Sequence, residues 1–303
     1  MKSRKTEQDY VRWSPIVERP QLTWPDGHGV ALLVVVNLDH YDWEGQAGSF
    51  SLSEIPGRRG NPPKPDYQVT TWREYGHRIG IFRIMEVLDE LGIKPCIAMD
   101  AITATHYPYL VEECLSRNWE FVGHGIAMTR MITSLMSEPQ ERDYITKSLT
   151  VLREKTGCSV LGWLGPEYGE SHRTPRLLMD EGIEYLFDWV NDEQPYQLFD
   201  NDRYLVSLPM YLDLDDLHAL WYKRLAIGHY VEMIKAAFKV LDRDGKQNGR
   251  LFVLNLHPWY IGQPHRIAYL KEALTYIIKT YSVWTPVANK LVANYKRQLK
   301  GQN

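Results

Sequence analysis

The feature of this sequence that most restricts its fold is a repeated alternation of short apolar runs with segments of helical spacing. Residues 30–38 read VALLVVVNL, a continuous run without polar alternation, which is typical of a strand buried on both faces of a parallel sheet. Residues 77–91, HRIGIFRIMEVLDEL, place apolar side chains at helical spacing and end at Gly92. Such pairs recur about seven times along the chain, which predicts a parallel α/β fold, either a barrel or a doubly wound sheet.

Two observations favour the barrel. No glycine-rich phosphate loop follows the first predicted strand, so the dinucleotide-binding form of the doubly wound sheet lacks its fingerprint. In addition, polar residues close successive predicted strands, and a barrel brings the carboxyl ends of all its strands to one face. We therefore expect one pocket to collect the polar residues at or just beyond these ends, which are Asp39, His40, Asp100, His124, Glu167, Asp188 and His257.

Composition limits the class of protein further. The chain has 303 residues, 44% of them hydrophobic, and because the barrel pattern runs through all of it we expect a single domain over residues 1–303. A formal net charge of -3 gives no bulk attraction for nucleic acid or an anionic membrane. The three cysteines are widely spaced, and the first residues contain no apolar segment of the kind found in a signal peptide. These features predict a cytoplasmic protein with reduced thiols.

One stretch, residues 41–76, breaks the alternation. It is rich in Gly, Pro and Ser and is longer than the roughly 15 residues beyond which an irregular loop usually has a function or is disordered. We expect it to form either a lid over the barrel mouth or an arm onto a neighbouring subunit. The chain also has 10 Trp and 19 Tyr, many of which could serve an interface, so we expect a homo-oligomer, either a dimer or a tetramer.

Several motifs together resemble one known family. Asp39 with His40 at the first strand end is accompanied by REYGHRIG at 73–80, GHG at 123–125, GWLGPEYGE at 162–170, WVNDEQPY at 189–196, SLPMYLDLDDL at 207–217 and LHPWYIGQPHR at 256–266. This set resembles the polysaccharide deacetylase (NodB homology) superfamily, and within it the branch of metal-independent allantoinases and cyclic imide hydrolases. The resemblance covers nearly the whole chain and implies a distorted (β/α)7-8 barrel.

The metal site of the family's deacetylases is altered in this sequence. There the first strand ends in two aspartates, a general base and a metal ligand, and the third strand adds His-x-x-x-His. Here Asp39 matches the base, His40 stands at the ligand position and Met128 replaces the second histidine. Because a thioether is a poor zinc ligand, we expect no required cofactor. The alternative is a divalent metal such as zinc, held by Asp39, His40 and His124.

The catalytic roles follow from the strand ends and from the resemblance. Hydrolysis of an amide needs a base for water, a donor to the oxyanion and an acid for the leaving nitrogen. We predict Asp39 as the base, His124 as the donor or water anchor, and His257, which matches the family's last-strand histidine, as the acid. The alternative for His124 is a hydrogen-bonded scaffold residue without a chemical role.

Substrate-binding residues are predicted around these three. Glu167 falls where the deacetylases carry the arginine of Arg-x-Pro-x-Gly, and it could contact a substrate NH or merely bond to backbone. Arg78 offers a planar fork for a carboxylate or carbonyl pair, or an ion pair with Glu74 or Asp39. His40 is the remaining polar candidate.

Aromatic walls and a peripheral acidic loop complete the expected site. Four tryptophans lie close to strand ends, and we expect Trp163 and Trp259 to line the pocket, with Trp43 and Trp189 as further candidates. The acidic run DLDDL at 213–217 is read as a solvated loop outside the site.

The sequence thus predicts a hydrolase of carbon–nitrogen bonds other than peptide bonds. The resemblance favours a small cyclic amide, imide or ureide as substrate. Two alternatives remain open: a metal-dependent N-deacetylase of a carbohydrate polymer, and a non-catalytic binding protein of the same fold. No nucleic-acid or membrane partner is expected.

Overall fold

The structure is a computed structural model that describes residues 8–44, 55, 58, 60 and 65–301. Its centre is a nine-stranded sheet. The strands are β1 Val30–Leu38, β2 Cys96–Met99, β3 Glu120–Gly123, β4 Gly162–Trp163, β5 Tyr185–Leu186, β6 Tyr196–Asp200, β7 Arg203–Ser207, β8 Arg250–Leu256 and β9 Val283–Trp284.

Helices connect and cover these strands. They are α1 Tyr67–Tyr75, α2 Ile81–Leu91, α3 Ala101–His106, α4 Pro108–Ser116, α5 Glu138–Thr156, α6 Thr174–Asp180, α7 Ile227–Gly245, α8 Pro258–Ile261, α9 Ile267–Thr280 and α10 Ala288–Gly301. Two π-helical segments, Gly76–Gly80 and Leu217–Tyr222, and a 3₁₀ turn at Pro166–Tyr168 lie between them. Among the described residues, no helix combines the length and the apolar character that crossing a bilayer requires.

The sheet order is β6-β7-β5-β4-β3-β2-β1-β8, and β9 also pairs with β1. All pairs are parallel except the β6–β7 hairpin, which is antiparallel. The sheet curls so that the carboxyl ends of its parallel strands face one mouth, as expected of a distorted barrel. The predicted fold is confirmed.

The position of strand β1 between two cores explains why its sequence shows no polar alternation. Its residues Ala31, Leu33 and Val35 belong to a core inside the curl, whereas Leu32 and Val34 belong to the core beneath the outer helices. Successive side chains of a strand point to opposite faces, so a strand between two cores must be apolar throughout.

The inner series becomes polar only where the strand reaches the mouth. Asn37 and Asp39 continue the inner positions of β1, and Asn255 and His257 continue those of β8 after Leu251 and Val253. The same two-residue period therefore builds a closed apolar base and an open polar end.

The structure differs from the sequence prediction for residues 41–76. The end of this stretch is helix α1, which begins where the Asp66 side chain accepts a hydrogen bond from the Val69 amide at 3.2 Å. α1 continues through the π-helical turn Gly76–Gly80 into α2. The aperiodic part of the predicted lid or arm lies largely outside the described residues.

The π-helical turn lies directly against the residues that follow β8. A Cβ atom on Gly80 would stand 2.0 Å from the carbonyl oxygen of Pro258, and one on Gly76 would stand 2.8 Å from the backbone nitrogen of Trp259. Glycine is required at both positions because the two backbones touch. This contact fixes the start of α8, and with it the neighbouring His257.

Candidate active site

A cavity of about 310 Å³ lies at the carboxyl ends of the strands. Its lining combines the strand ends with the turns at 166–168 and 212–222. The lining residues are Asn37, His124, Met128, Leu164, Glu167, Tyr168, Asp188, Val190, Leu212, Asp215, Leu217, His218, Tyr222, Asn255 and His257. The structure thus brings His124, Glu167, Asp188 and His257 together, as the strand-end pattern predicted.

His257 is held by a buried carboxylate. Its Nδ1 lies 2.6 Å from Asp216 Oδ1, and its backbone amide donates to Asp216 Oδ2 at 2.9 Å. Burial disfavours the charged imidazole, but the carboxylates of Asp216 and Asp215 outweigh it and raise the pKa of His257 to about 9. His257 is therefore an imidazolium at neutral pH, with Nε2–H left to face a ligand.

A second carboxylate supports this pair. Asp215 Oδ2 accepts hydrogen bonds from Asn255 Nδ2 at 2.6 Å and from the Tyr168 hydroxyl at 2.9 Å, and Oδ1 accepts from the His218 amide at 2.9 Å. Asn37 Nδ2 in turn donates to Asn255 Oδ1 at 2.7 Å. This buried network fixes the cavity floor, because each member is oriented by the next.

His124 has the opposite character. Its Nδ1 lies 2.6 Å from the carbonyl oxygen of Leu164, which can only accept, so Nδ1 carries the proton. Burial lowers the pKa of His124, and the nearby Asp39 carboxylate only partly opposes this. Nε2 is consequently a lone-pair acceptor, and it is buried without a hydrogen-bond partner among the described residues.

Asp39 lies beside these imidazoles. It is buried, and its charge affects the pKa of both His124 and His257. Its Oδ2 accepts a hydrogen bond from the Tyr41 hydroxyl at 3.0 Å. Asp39 is not among the cavity-lining residues, so its charge is what connects it to His124 and His257, and the Tyr41 hydrogen bond holds its side chain.

Glu167 reaches the cavity from a strained turn. Glu167 and Tyr168 both have left-handed backbone conformations, with φ of 52° and 56°. Non-glycine residues adopt this region only when their surroundings enforce it, and such strain concentrates at functional sites. Loss of hydration among the surrounding atoms raises the pKa of Glu167, and the charges of His257 and Arg73 oppose this shift. The residue itself is exposed and lines the cavity.

Asp188 contributes a second type of carboxyl group to the lining. Its Oδ1 accepts from the Gly165 amide at 2.6 Å, and its Oδ2 is buried without a partner. Burial first, and then the neighbouring Glu170, raise the pKa of Asp188 well above its usual range. Its buried position therefore favours the protonated form of this carboxyl group.

The other predicted residues lie elsewhere. His40 forms an edge-to-face contact with His106, with ring centroids 5.5 Å apart, and Asp100 is the N-terminal cap of α3. Arg78 is exposed in the π-helical turn, is not part of the cavity lining, and forms no ion pair with Glu74 or Asp39.

The tryptophans are likewise not cavity walls. Trp163 and Trp259 are fully buried in the outer core, and neither lines the cavity. Trp163 precedes the cavity residue Leu164, so the two-residue period of the strand directs it to the other face. Trp43 and Trp189 are half-buried and donate hydrogen bonds to Glu74 and Glu170.

Two groups that matter here were missed or misread in the sequence. Asp215 and Asp216 lie in the run DLDDL, which was read as a solvated loop, yet both are buried, and only Asp213 fits that reading. Arg73 is buried near Asp39, whereas the sequence favours Arg78 of the same motif as the substrate contact. The available signal for Asp216 in the sequence is His257, because a buried histidine at a strand end often pairs with a buried acid.

Zinc does not fit the donors that the described residues present. Asp39, His40 and His124 do not form a three-donor group, and Met128 lies in the cavity beside His124. Asp215, Asp216 and His257 have donor atoms within 4.8 Å of one another, but these carboxylates hold His257 in its protonated form, which has no lone pair for a metal. We therefore derive no catalytic step through a metal.

Comparison with known proteins supports the fold. No family model matches the sequence, and no curated protein does so either. Among solved structures, a probable polysaccharide deacetylase from Pseudomonas aeruginosa PAO1 has a TM-score of 0.81 at 23% identity, covering 92% of this chain and 95% of that one. The allantoinase PuuE has a TM-score of 0.80 at 25% identity, covering 91% of this chain and 93% of that one.

A third structure, a suggested polysaccharide deacetylase from Mycobacterium smegmatis, has a TM-score of 0.76 at 23% identity, covering 92% of this chain and 94% of that one. The chain therefore has the NodB-type fold shared by these deacetylases and the allantoinase. The resemblance seen in the sequence is confirmed.

Proposed function

We propose that this protein hydrolyses a carbon–nitrogen bond other than a peptide bond in a small cyclic amide, imide or ureide. One observation carries the proposal: two histidines at the same cavity are held in opposite protonation states. His257 is a charged donor because Nδ1 faces Asp216. His124 is neutral because it is buried, and since its Nδ1–H donates to a carbonyl oxygen, Nε2 is left as an acceptor. Amide hydrolysis needs such a donor and such an acceptor at the same time.

The proposed reaction begins with a water molecule held by His124 Nε2. Asp39 accepts a proton from this water as its oxygen attacks the carbonyl carbon. His257 Nε2–H donates to the developing oxyanion and then gives its proton to the ring nitrogen as the C–N bond breaks. The products are a carboxyl group and the NH2 group of the former ring nitrogen on one opened chain, and the proton on Asp39 returns to His257 through solvent, which restores both groups.

The cavity favours a small substrate over a polymer. Its volume of about 310 Å³ lies at the low end of the roughly 300–1,000 Å³ that small-molecule pockets occupy. Glu167 can accept hydrogen bonds from a ring NH, and the Asp188 carboxyl, when protonated, can donate to a ring carbonyl. A ring with alternating NH and C=O groups satisfies both.

The test is a hydrolysis screen of the purified protein on hydantoin, succinimide, allantoin and N-acetylglucosamine oligomers, with and without a chelator. We expect turnover of a cyclic compound that survives chelation. Asp39→Asn, His124→Ala and His257→Ala should each lower kcat at least about 100-fold. His229→Ala, an exposed histidine on α7, is the matched control and should keep full activity.

Other outcomes would identify the alternatives. Chelator-sensitive release of acetate from the sugar oligomers would indicate a metal-dependent deacetylase. Binding without turnover on every compound would indicate a non-catalytic binding protein. Near-full activity of His124→Ala would assign the histidine of GHG to the scaffold.

A further inference from the structure

Arg73, from α1, is a buried cation whose surroundings are aromatic. Its guanidinium carbon lies 3.5 Å from the ring centroid of Trp259, 4.7 Å from that of Tyr41 and 5.6 Å from that of Trp221. Among the described residues it forms no ion pair, and its Nε is buried without a hydrogen-bond partner. Charged groups are rarely buried in this way without a specific use.

The hydrogen bonds of Arg73 lead to Asp39. Arg73 Nη1 donates to the Tyr41 hydroxyl oxygen at 3.4 Å, and that hydroxyl donates to Asp39 Oδ2 at 3.0 Å. Among the described residues, Tyr41 is the one hydrogen-bond donor to the Asp39 side chain. All three side chains are buried, so their order does not depend on bulk water.

The guanidinium fixes the direction of this chain of hydrogen bonds. A tyrosine hydroxyl can donate one proton and accept through its lone pairs, and arginine can only donate. With Arg73 on its acceptor side, the Tyr41 proton must point away from the guanidinium and toward the carboxylate.

We infer that Arg73 is a positioning residue for hydrolysis: it orients the Tyr41 hydroxyl, which holds Asp39 Oδ2 and leaves Oδ1 to receive the proton of the attacking water. This inference rests on the proposed role of Asp39 as base. The aromatic cage of Trp259, Tyr41 and Trp221 keeps the guanidinium in place without a carboxylate partner. A carboxylate partner for Arg73 would compete with Tyr41 for the same donor.

The test compares Tyr41→Phe, Arg73→Ala and the double variant on a substrate found in the screen. We expect kcat to fall about tenfold for Tyr41→Phe and about 100-fold for Arg73→Ala, with KM little changed. The double variant should be no slower than Arg73→Ala, because both changes break the same chain. Millimolar guanidinium should restore part of the kcat of Arg73→Ala and none of that of the double variant.

Arg83 provides a matched control. It also donates to a tyrosine hydroxyl, that of Tyr75, but this pair lies outside the cavity lining. Arg83→Ala should keep its kcat and show no response to guanidinium. Tyr41→Phe removes one oxygen from a buried ring, so it keeps the test decisive if Arg73→Ala fails to fold, as judged by circular dichroism.

Three results would overturn the inference, two of them in the variants of the chain itself. One is additive losses in the double variant. The other is a rise in KM at constant kcat, which would make Arg73 a substrate contact instead. Asp39→Asn distinguishes failure of the proposed function from failure of the inference. If Asp39→Asn stays active, the proposed base is wrong. If it is inactive while Tyr41→Phe and Arg73→Ala keep full kcat, only the positioning role fails.

Discussion

His257 and His124 face the same cavity, and the group that contacts Nδ1 makes them chemically different. A carboxylate at 2.6 Å stabilises the imidazolium of His257, whereas a carbonyl oxygen at 2.6 Å fixes the neutral tautomer of His124. The same side chain is thereby able to donate a proton in one place and to accept a hydrogen bond in the other. The group that contacts Nδ1, together with burial, therefore decides what each histidine can do.

The first prediction concerns the pH dependence of kcat/KM. In the proposed reaction His257 acts as an acid in its protonated form, so activity should fall as the pH rises through about 9. Asp216→Asn removes the charge that raises this pKa, while the burial that lowers it remains. The alkaline limb should therefore move to lower pH in the variant.

Asp213→Asn is the control for this prediction. Asp213 belongs to the same acidic run, but its side chain is 71% exposed and pairs with Lys223. The pH profile of the Asp213→Asn variant should match that of the unaltered protein. An unshifted alkaline limb in Asp216→Asn would show that His257 is not the group that titrates.

The second prediction concerns metal binding. Met128→His adds an imidazole to the cavity that His124 also lines, where His124 Nε2 has no hydrogen-bond partner among the described residues, and neutral imidazole is a strong zinc ligand. We expect calorimetry to show tighter zinc binding for Met128→His than for the unaltered protein. The gain should disappear when His124→Ala is added; equal binding with and without His124 would contradict the proposed geometry.

Residues at strand ends could be predicted from the sequence because position alone places them. Asp39, His124 and His257 follow apolar runs, and a barrel brings such ends together. The burial of Asp215 and Asp216 could not be predicted in this way, because DLDDL looks like a solvated turn and only the packing of 212–222 on β8 separates these two from Asp213. Arg73 was missed because a helix within residues 41–76 was not expected.

At the scale of elements, the π-helical turn at 76–80 and the start of α8 act as one unit. α1, the turn and α2 form a continuous helical run that presses glycine backbone onto Pro258 and Trp259. α1 carries Arg73, and α8 follows His257 directly. The contact therefore aligns a helix before β2 with the end of β8.

The third prediction tests this contact. Gly80→Ala would place a Cβ 2.0 Å from the Pro258 carbonyl oxygen, so the backbone of α8 must move. We expect a loss of stability of about 1–3 kcal/mol, measured by chemical denaturation, together with a lower kcat. Gly228→Ala, in α7, has no atom within 4 Å of the added Cβ and should be tolerated.

At the scale of the whole molecule, the parallel order of the strands was predictable and the edge of the sheet was not. Long runs such as 30–38 and 250–256 identify their strands from composition alone. β4 and β5 have only two residues each, and the β6–β7 hairpin breaks the parallel pattern. Such short pairings depend on neighbouring strands rather than on their own sequence.

The fourth prediction concerns assembly. The N-terminal segment leaves Trp13 52% and Val17 88% exposed, which favours the expected homo-oligomer through this surface. Sedimentation velocity at micromolar concentration should show a dimer or tetramer, with an interface above about 1,000 Å². Val17→Asp should shift the distribution toward monomer, whereas Lys239→Asp on α7 should not; a monomer in all samples would contradict the expectation.

The pairing of β1 with β8 also has a consequence for the order of folding. Asn37 and Asn255, which bridge the cavity floor, are 218 residues apart in sequence, so the loop between them must close before the floor exists. Contacts of such separation form slowly. A ribosome-bound chain that ends before β8 would hold Asn37 without Asn255, so the cavity floor can form only after β8 has been synthesised.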